Sequence, residues 1–147
     1  MRTPPYDRRV IDESTDFGAR VARHLRDDVV VWLTTVTPAG APLPAPVWFI
    51  WDGAETVTMF SAPGARVRNI EANPRVTLNF DGNGRGGDIV VIAGRAGAER
   101  DAPSAAESEA YLAKYDDHIE RIGMTPATFA AHYEVPVRVS LARVRGH

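Results

Sequence analysis

The chain has 147 residues, enough for one domain with its own core, and its 44% hydrophobic and 24% charged residues are the balance of an ordinary folded domain. Seventeen basic residues against nineteen acidic ones leave a formal net charge of -2, which weighs against a general binder of nucleic acid or anionic membrane but leaves room for one local basic pocket. There is no cysteine, so disulfides, thiolate metal sites and a cysteine nucleophile are excluded.

Residues 1–13 read as a loose arm. The opening MRTPPYDRRVIDESTDFG lacks the apolar stretch of a secretion signal, and no apolar run approaches the roughly 18 residues of a membrane span. A single cytoplasmic domain over 1–147 is the expectation. Ser14 or Thr15 is placed to cap a helix whose Phe17, Val21 and Leu25 recur every four residues on one face.

The segment VVVWLTTVT (29–37) is rich in β-branched residues and ends at Pro-Ala-Gly, a strand followed by a turn. PLPAPVWFIW (42–51) reads as a second strand closed by the turn Asp52-Gly53. Its Pro42, Pro44 and Pro46 cannot donate to a ladder, which puts its first half at a sheet edge or a bulge. In that strand Trp48 and Ile50 share one face, and Val47, Phe49 and Trp51 the other. One set is expected to fill the barrel, while the second covers a dimer surface or a flat ligand ring.

ETVTMFS (55–61) returns as the third strand, GARVRNIEAN forms a short helix, and RVTLNFD (75–81) is the fourth strand. GNGRGG (82–87) is a flexible connection that lacks the strand-loop-helix context and the Lys-Ser/Thr of a P-loop; Arg85 on it is a weak candidate for a substrate mouth. DIVVIAGRAGAE (88–99) is a fifth strand whose glycines suggest bulges. A helix follows over about 104–121, opened by Ser104 with Glu107 three residues on. A short helix starts at Pro126, and PVRVSLARV (136–144) alternates as a sixth strand.

Short connections favour antiparallel pairing, so the elements predict a mainly β protein: a six-stranded antiparallel barrel with flanking helices. His24, His118, His132 and His147 have no ligand spacing, which predicts no metal site. No Ser-His-Asp arrangement or Gly-x-Ser-x-Gly elbow is present either, and no catalytic side chain is nominated.

The strand pair GAPLPAPVWFIWDG…TVTMFS, then ARVRNIEANPRVTLNF, then a strand ending AGRA, resembles the pyridoxamine-phosphate-oxidase-like split-barrel family, and more narrowly its deazaflavin (F420)-dependent branch. The densest match is RNIEANPRV, and the likeness is closest over residues 15–98. It implies a homodimer with the cofactor in a groove between the barrels, a small conjugated substrate, and hydride transfer to or from the cofactor. It also implies that Pro46, Val47 and Trp48 run along the cofactor ring through backbone groups, that Met59, Phe60 and Ser61 approach it, and that Arg66 binds its phosphate with Arg68 and Asn69 assisting. The family's FMN-binding oxidases carry an Arg on the second strand and an Arg-Lys doublet before the helix. Here those positions read Ala45 and Ala65-Arg66. F420, with its phosphate on a longer polyanionic tail, therefore suits the resemblance better than FMN. An FMN enzyme, or a non-catalytic flavin or F420 carrier or sensor on the same fold, are the alternatives.

Read from the residues alone, Arg66 and Arg68 are two apart and do not share a face of a regular helix. They converge on one anion only in a first turn, where free amides add positive potential. Otherwise they belong to a solvated helix paired with Glu71 or with a second subunit. Ser61 likewise reads either as a phosphate donor or as a turn residue.

Overall fold

The structure is a computed structural model and describes residues 9–147. In chain order it comprises α1 (Asp16–Asp27), β1 (Val31–Val36), β2 (Pro42–Val47), β3 (Ile50–Trp51), β4 (Thr56–Ser61), α2 (Ala65–Ala72), β5 (Arg75–Asn79), β6 (Val90–Ala98), α3 (Glu109–Arg121), α4 (Pro126–His132) and β7 (Val135–Gly146). The strands form one sheet in the order β2-β1-β5-β6-β7-β4-β3, with every pairing antiparallel. Its two outermost strands, β2 and β3, are consecutive in the chain, and only Trp48 and Phe49 separate them. The sheet must therefore curl until its edges nearly meet, which is a split barrel.

There are seven strands instead of the six expected, because the segment 42–51 breaks after Val47. The break is held from outside the sheet. The Tyr115 hydroxyl oxygen on α3 accepts from the Phe49 N–H at 2.8 Å, and its proton has two acceptors, Val29 O at 2.7 Å and Phe49 O at 2.9 Å. A buried side chain thus takes over the bonds a neighbouring strand would have made. Lys114, one residue earlier on α3, places its Nζ 3.9 Å from the centre of the Phe49 ring.

β2 is an edge strand, as its prolines require. In an antiparallel ladder alternate residues turn both backbone groups to the same side. Leu43, Ala45 and Val47 are therefore the residues that bond β1, and Pro42, Pro44 and Pro46 face the free edge. That edge offers carbonyls and no N–H at all.

The main core lies inside the curl, where Val31, Leu33, Val57, Leu78, Ile92, Val137 and Val139 are all 1% exposed or less. Phe49, Val47 and Trp51 pack on this side. Trp48 and Ile50 face outward, where α3 and α4 cover them in a second, aromatic cluster of Phe60, Tyr111, Tyr115 and Phe129. The two faces expected for the VWFIW stretch are both real, and it is the chain's own helices that cover the outer one.

Thr15 caps α1 by accepting from Gly18 N. A bulge falls between Ala93 and Gly94, where a Cβ on Gly94 would sit 2.7 Å from Ser140 O. Two expectations shift. α3 begins at Glu109 under a Ser108 cap, because Ser104 and Glu107 close a separate turn in which the Glu107 carboxylate accepts from Ser104 N. Residues 1–8 of the expected arm lie outside the described residues, and Ile11, at 8% exposure, already belongs to the main core.

Candidate cofactor and substrate groove

A groove of about 280 Å3 opens where the β2–β3 break meets α2, α3 and α4. Pro46, Val47 and Trp48 form one wall, and Phe60 and Arg66 stand opposite. Tyr111, Ile122, Phe129 and Tyr133 close it from the helical side. Five of the nine residues expected at the site thus meet in one place.

The other four do not line it. Met59 points to the opposite side of β4 from Phe60 and is buried at 1% in the main core. Ser61 is buried and donates to the Ala62 carbonyl at 2.9 Å. Asn69 is buried and donates to Thr35 Oγ1 on β1 at 3.4 Å, which ties α2 to the sheet. Arg68 is exposed on α2 outside the lining. The separation of two residues keeps it from converging with Arg66. Arg85 is also absent from the lining; its loop is held against α1 instead, through Asp88.

Arg66 is the only charged residue of the lining. Its guanidinium makes no hydrogen bond or ion pair among the described residues, and Glu71, the partner expected for it on a solvated helix, is taken by Arg100 at 2.8 Å. The reading of a helix neutralised by Glu71 is thereby removed. The N-cap of α2 is Gly64, whose backbone (φ 153, ψ -157) suits glycine and which supplies no capping side chain. The first-turn amides around Arg66 therefore lack a side-chain acceptor, and an anion there would gain both the guanidinium and the helix end.

The rest of the lining is aromatic and firmly seated. Trp48 stacks on Tyr115 (5.0 Å, 10°) and on Phe129 (5.6 Å, 11°). Phe60 meets Tyr111 edge-on at 4.8 Å. These contacts fix the Trp48 plane, so its role at the groove is that of a rigid wall. Burial pushes the Tyr111 and Tyr115 phenols well above their ordinary range, so both stay protonated.

An anion anchor, aromatic walls and a strand edge of carbonyls suit a planar heteroaromatic group with an acidic tail, so the residues fit a flavin-type cofactor. No group of three or more His, Cys, Asp or Glu among the described residues is placed to hold a metal ion. The sequence reading assigned no part of the site to the helical wall. Its signal was present as aromatic pairs four apart, Tyr111/Tyr115 and Phe129/Tyr133.

A family model described as pyridoxamine 5'-phosphate oxidase matches residues 17–143. No curated protein sequence is similar to the chain. Several solved structures share the fold. An F420 reductase is 24% identical with a TM-score of 0.60, covering 82% of this chain and 92% of that one. A FAD-binding protein from Mesorhizobium loti is 22% identical with a TM-score of 0.56, covering 86% and 88%. The heme storage protein from Vibrio cholerae is 19% identical with a TM-score of 0.57, covering 94% of each.

Proposed function

The chain belongs to the pyridoxamine 5'-phosphate oxidase family, and from that membership we propose that it is an F420-dependent oxidoreductase with its cofactor in the groove beside Trp48. The observation that carries the proposal is Arg66: a half-buried guanidinium in the lining, without a partner among the described residues, beside a helix start that has no side-chain cap. In this reading Arg66 and the first-turn amides of α2 hold the phosphate of the cofactor tail. Pro46, Val47, Trp48 and Phe60 bed its ring, with Pro46 able to offer a carbonyl but no N–H. Bound there, the reduced cofactor supplies a hydride for a small conjugated acceptor, and the protein supplies position, a dry wall and electrostatics.

FMN is the second reading on the same fold; the FAD-binding neighbour supports a flavin of some kind, while Ala45 and Ala65, which leave Arg66 alone at the anchor, weigh against FMN. No histidine is among the groove's lining residues, so the groove itself offers no imidazole ligand to a heme iron. We further propose a homodimer; the exposed apolar side chains Leu43 on β2 and Ile122 at the groove rim are what a second copy would cover.

Titration with F420 and with FMN, followed by visible absorbance and calorimetry, separates the two readings. Arg66→Glu is expected to abolish F420 binding, at least a hundredfold, while the melting temperature stays within about 2 °C because Arg66 contributes no ion pair to the fold. An unchanged dissociation constant in the variant removes Arg66 from the site.

A further inference from the structure

All but one of the seventeen Lys and Arg residues are arginine, and the exception is Lys114 on α3. Its Nζ is buried, 3.9 Å from the centre of the Phe49 ring and 5.4 Å from that of Tyr115, with no hydrogen-bond partner among the described residues. Arginine would stack on such a ring at least as well and would keep its proton in any setting; lysine is the basic residue that gives its proton up when water is taken away. Burial pulls this amine down to about 8, against the opposing fields of Asp28 and Asp27 at the end of α1. Lys114 also lines a hollow of about 330 Å3 between α1, β3 and α3, together with Leu25, Arg26, Ile50, Trp51, Ala110 and Ala113. No carboxylate is among them, and Arg26 is engaged, by Glu13 at 2.9 Å and by the Trp51 ring at 5.0 Å.

We propose that Lys114 is the covalent anchor of a second ligand site, forming an imine with a small apolar aldehyde that enters this hollow. The walls are apolar and aromatic, so they favour an uncharged ligand and expel the water that imine formation releases. The uncharged amine adds to the aldehyde carbon, its two N–H protons leave with the carbonyl oxygen as water, and the C=N bond forms; no oxidant, reductant or metal is required. No hydrogen bond ties Nζ to the Phe49 ring, so rotation about its own side-chain bonds brings it into the hollow at the cost of that ring contact alone. The hollow shares no residue with the groove beside Trp48, and the inference is independent of the cofactor reading.

The experiment incubates the full chain with 2-hydroxybenzaldehyde and cyanoborohydride, which traps the imine, and follows the adduct by tryptic mass mapping. Modification of Lys114 blocks cleavage there and leaves residues 101–121 as one peptide, which separates it from reaction at the α-amine. The expected rate at Lys114 is at least about tenfold that of Nα-acetyl-lysine at pH 7.5, rising with pH and levelling above 8. Ala113→Phe, which fills the hollow from an exposed position of α3 and keeps the amine, should slow the adduct about tenfold with little change in melting temperature. A rate at Lys114 no greater than that of the free amino acid, or one unchanged by Ala113→Phe, overturns the inference and leaves Lys114 as a clamp on the Phe49 ring.

Discussion

Two tyrosines four residues apart on α3 show how burial alone says little about what a residue does. Both are almost fully enclosed. Tyr115 is a fold residue, because the Phe49 N–H has no strand partner and the phenol oxygen supplies the acceptor. Tyr115→Phe keeps the ring and leaves that donor buried and unpaired, a loss of about 1–3 kcal/mol. Urea unfolding should show a lower midpoint with an unchanged slope; a midpoint equal to wild type means the break is held by packing alone. The same change at Tyr111 leaves no protein group without its partner, since that hydroxyl makes no hydrogen bond among the described residues, and the midpoint should stay near that of wild type.

At the scale of elements, the tightest polar junction is the one between α1 and the loop leading into β6. His24, 9% exposed and stacked on Phe80 at 4.9 Å, directs Nδ1 to Asp28 at 2.6 Å and Nε2 to both oxygens of Asp88 at 3.0 Å. Arg20 reaches Asp88 at 2.7 Å. With both ring nitrogens facing carboxylates, only the imidazolium can donate to each. Burial opposes that charge, but the hydrogen bonds to Asp88 and Asp28 outweigh it and raise the His24 pKa above the ordinary 6.5. Asp88, bonded by His24 and Arg20, is held below the ordinary 3.8. The sign of each follows by linkage. The His24 contribution is complete below pH 6.5 and is lost as pH rises through its raised folded value. The Asp88 contribution is complete above 3.8 and is lost as pH falls through its lowered one. The junction is therefore strongest between those ordinary values. Melting temperature should decline as pH is taken from 6 to 9 in wild type and more shallowly in His24→Gln; parallel curves would show that the imidazolium does not hold the loop. From sequence, the glycines of 82–87 suggested only flexibility, since Asp88 meets His24 across 64 residues. The strands were readable where the chain punctuates itself, as at Pro42, Pro44 and Pro46 or the Asp52-Gly53 turn. The β2–β3 break was not, because VWFIW carries no turn residue and the signal for stopping sits on Tyr115. Arg66 enters the reading through the family resemblance around RNIEANPRV and does line the groove, whereas Tyr111 and Phe129 join that lining only when α3 and α4 fold over the outer face of β4.

For the whole molecule, a net charge of -2 conceals an uneven distribution. The outward side of β5, β6 and β7 carries Arg75, Arg95, Arg138, Arg143 and Arg145, all exposed, and these three strands contain no Asp or Glu. The register sets Arg75 directly opposite Arg95, with Arg138 opposite Gly97 and Arg143 opposite Ala93, so Arg95 has arginine neighbours across and on the diagonals. None of the five guanidiniums has an ion pair or hydrogen bond among the described residues. Like charges directly across a ladder work against the sheet by a few tenths of a kcal/mol to about 1 kcal/mol, and small neighbours such as Gly97, Ala93 and Ser140 do nothing to screen them. Arg95→Glu turns the central repulsion into attraction, which for a domain of this size should raise the melting temperature by about 1–4 °C at low salt. Sulfate should raise the melting temperature of wild type more than sodium chloride at equal ionic strength, since a divalent anion can bridge two guanidiniums, and the difference should shrink in the variant. If Arg95→Glu melts at or below wild type, solvent and salt already screen the cross-strand repulsion, and the arginines do not work against the sheet.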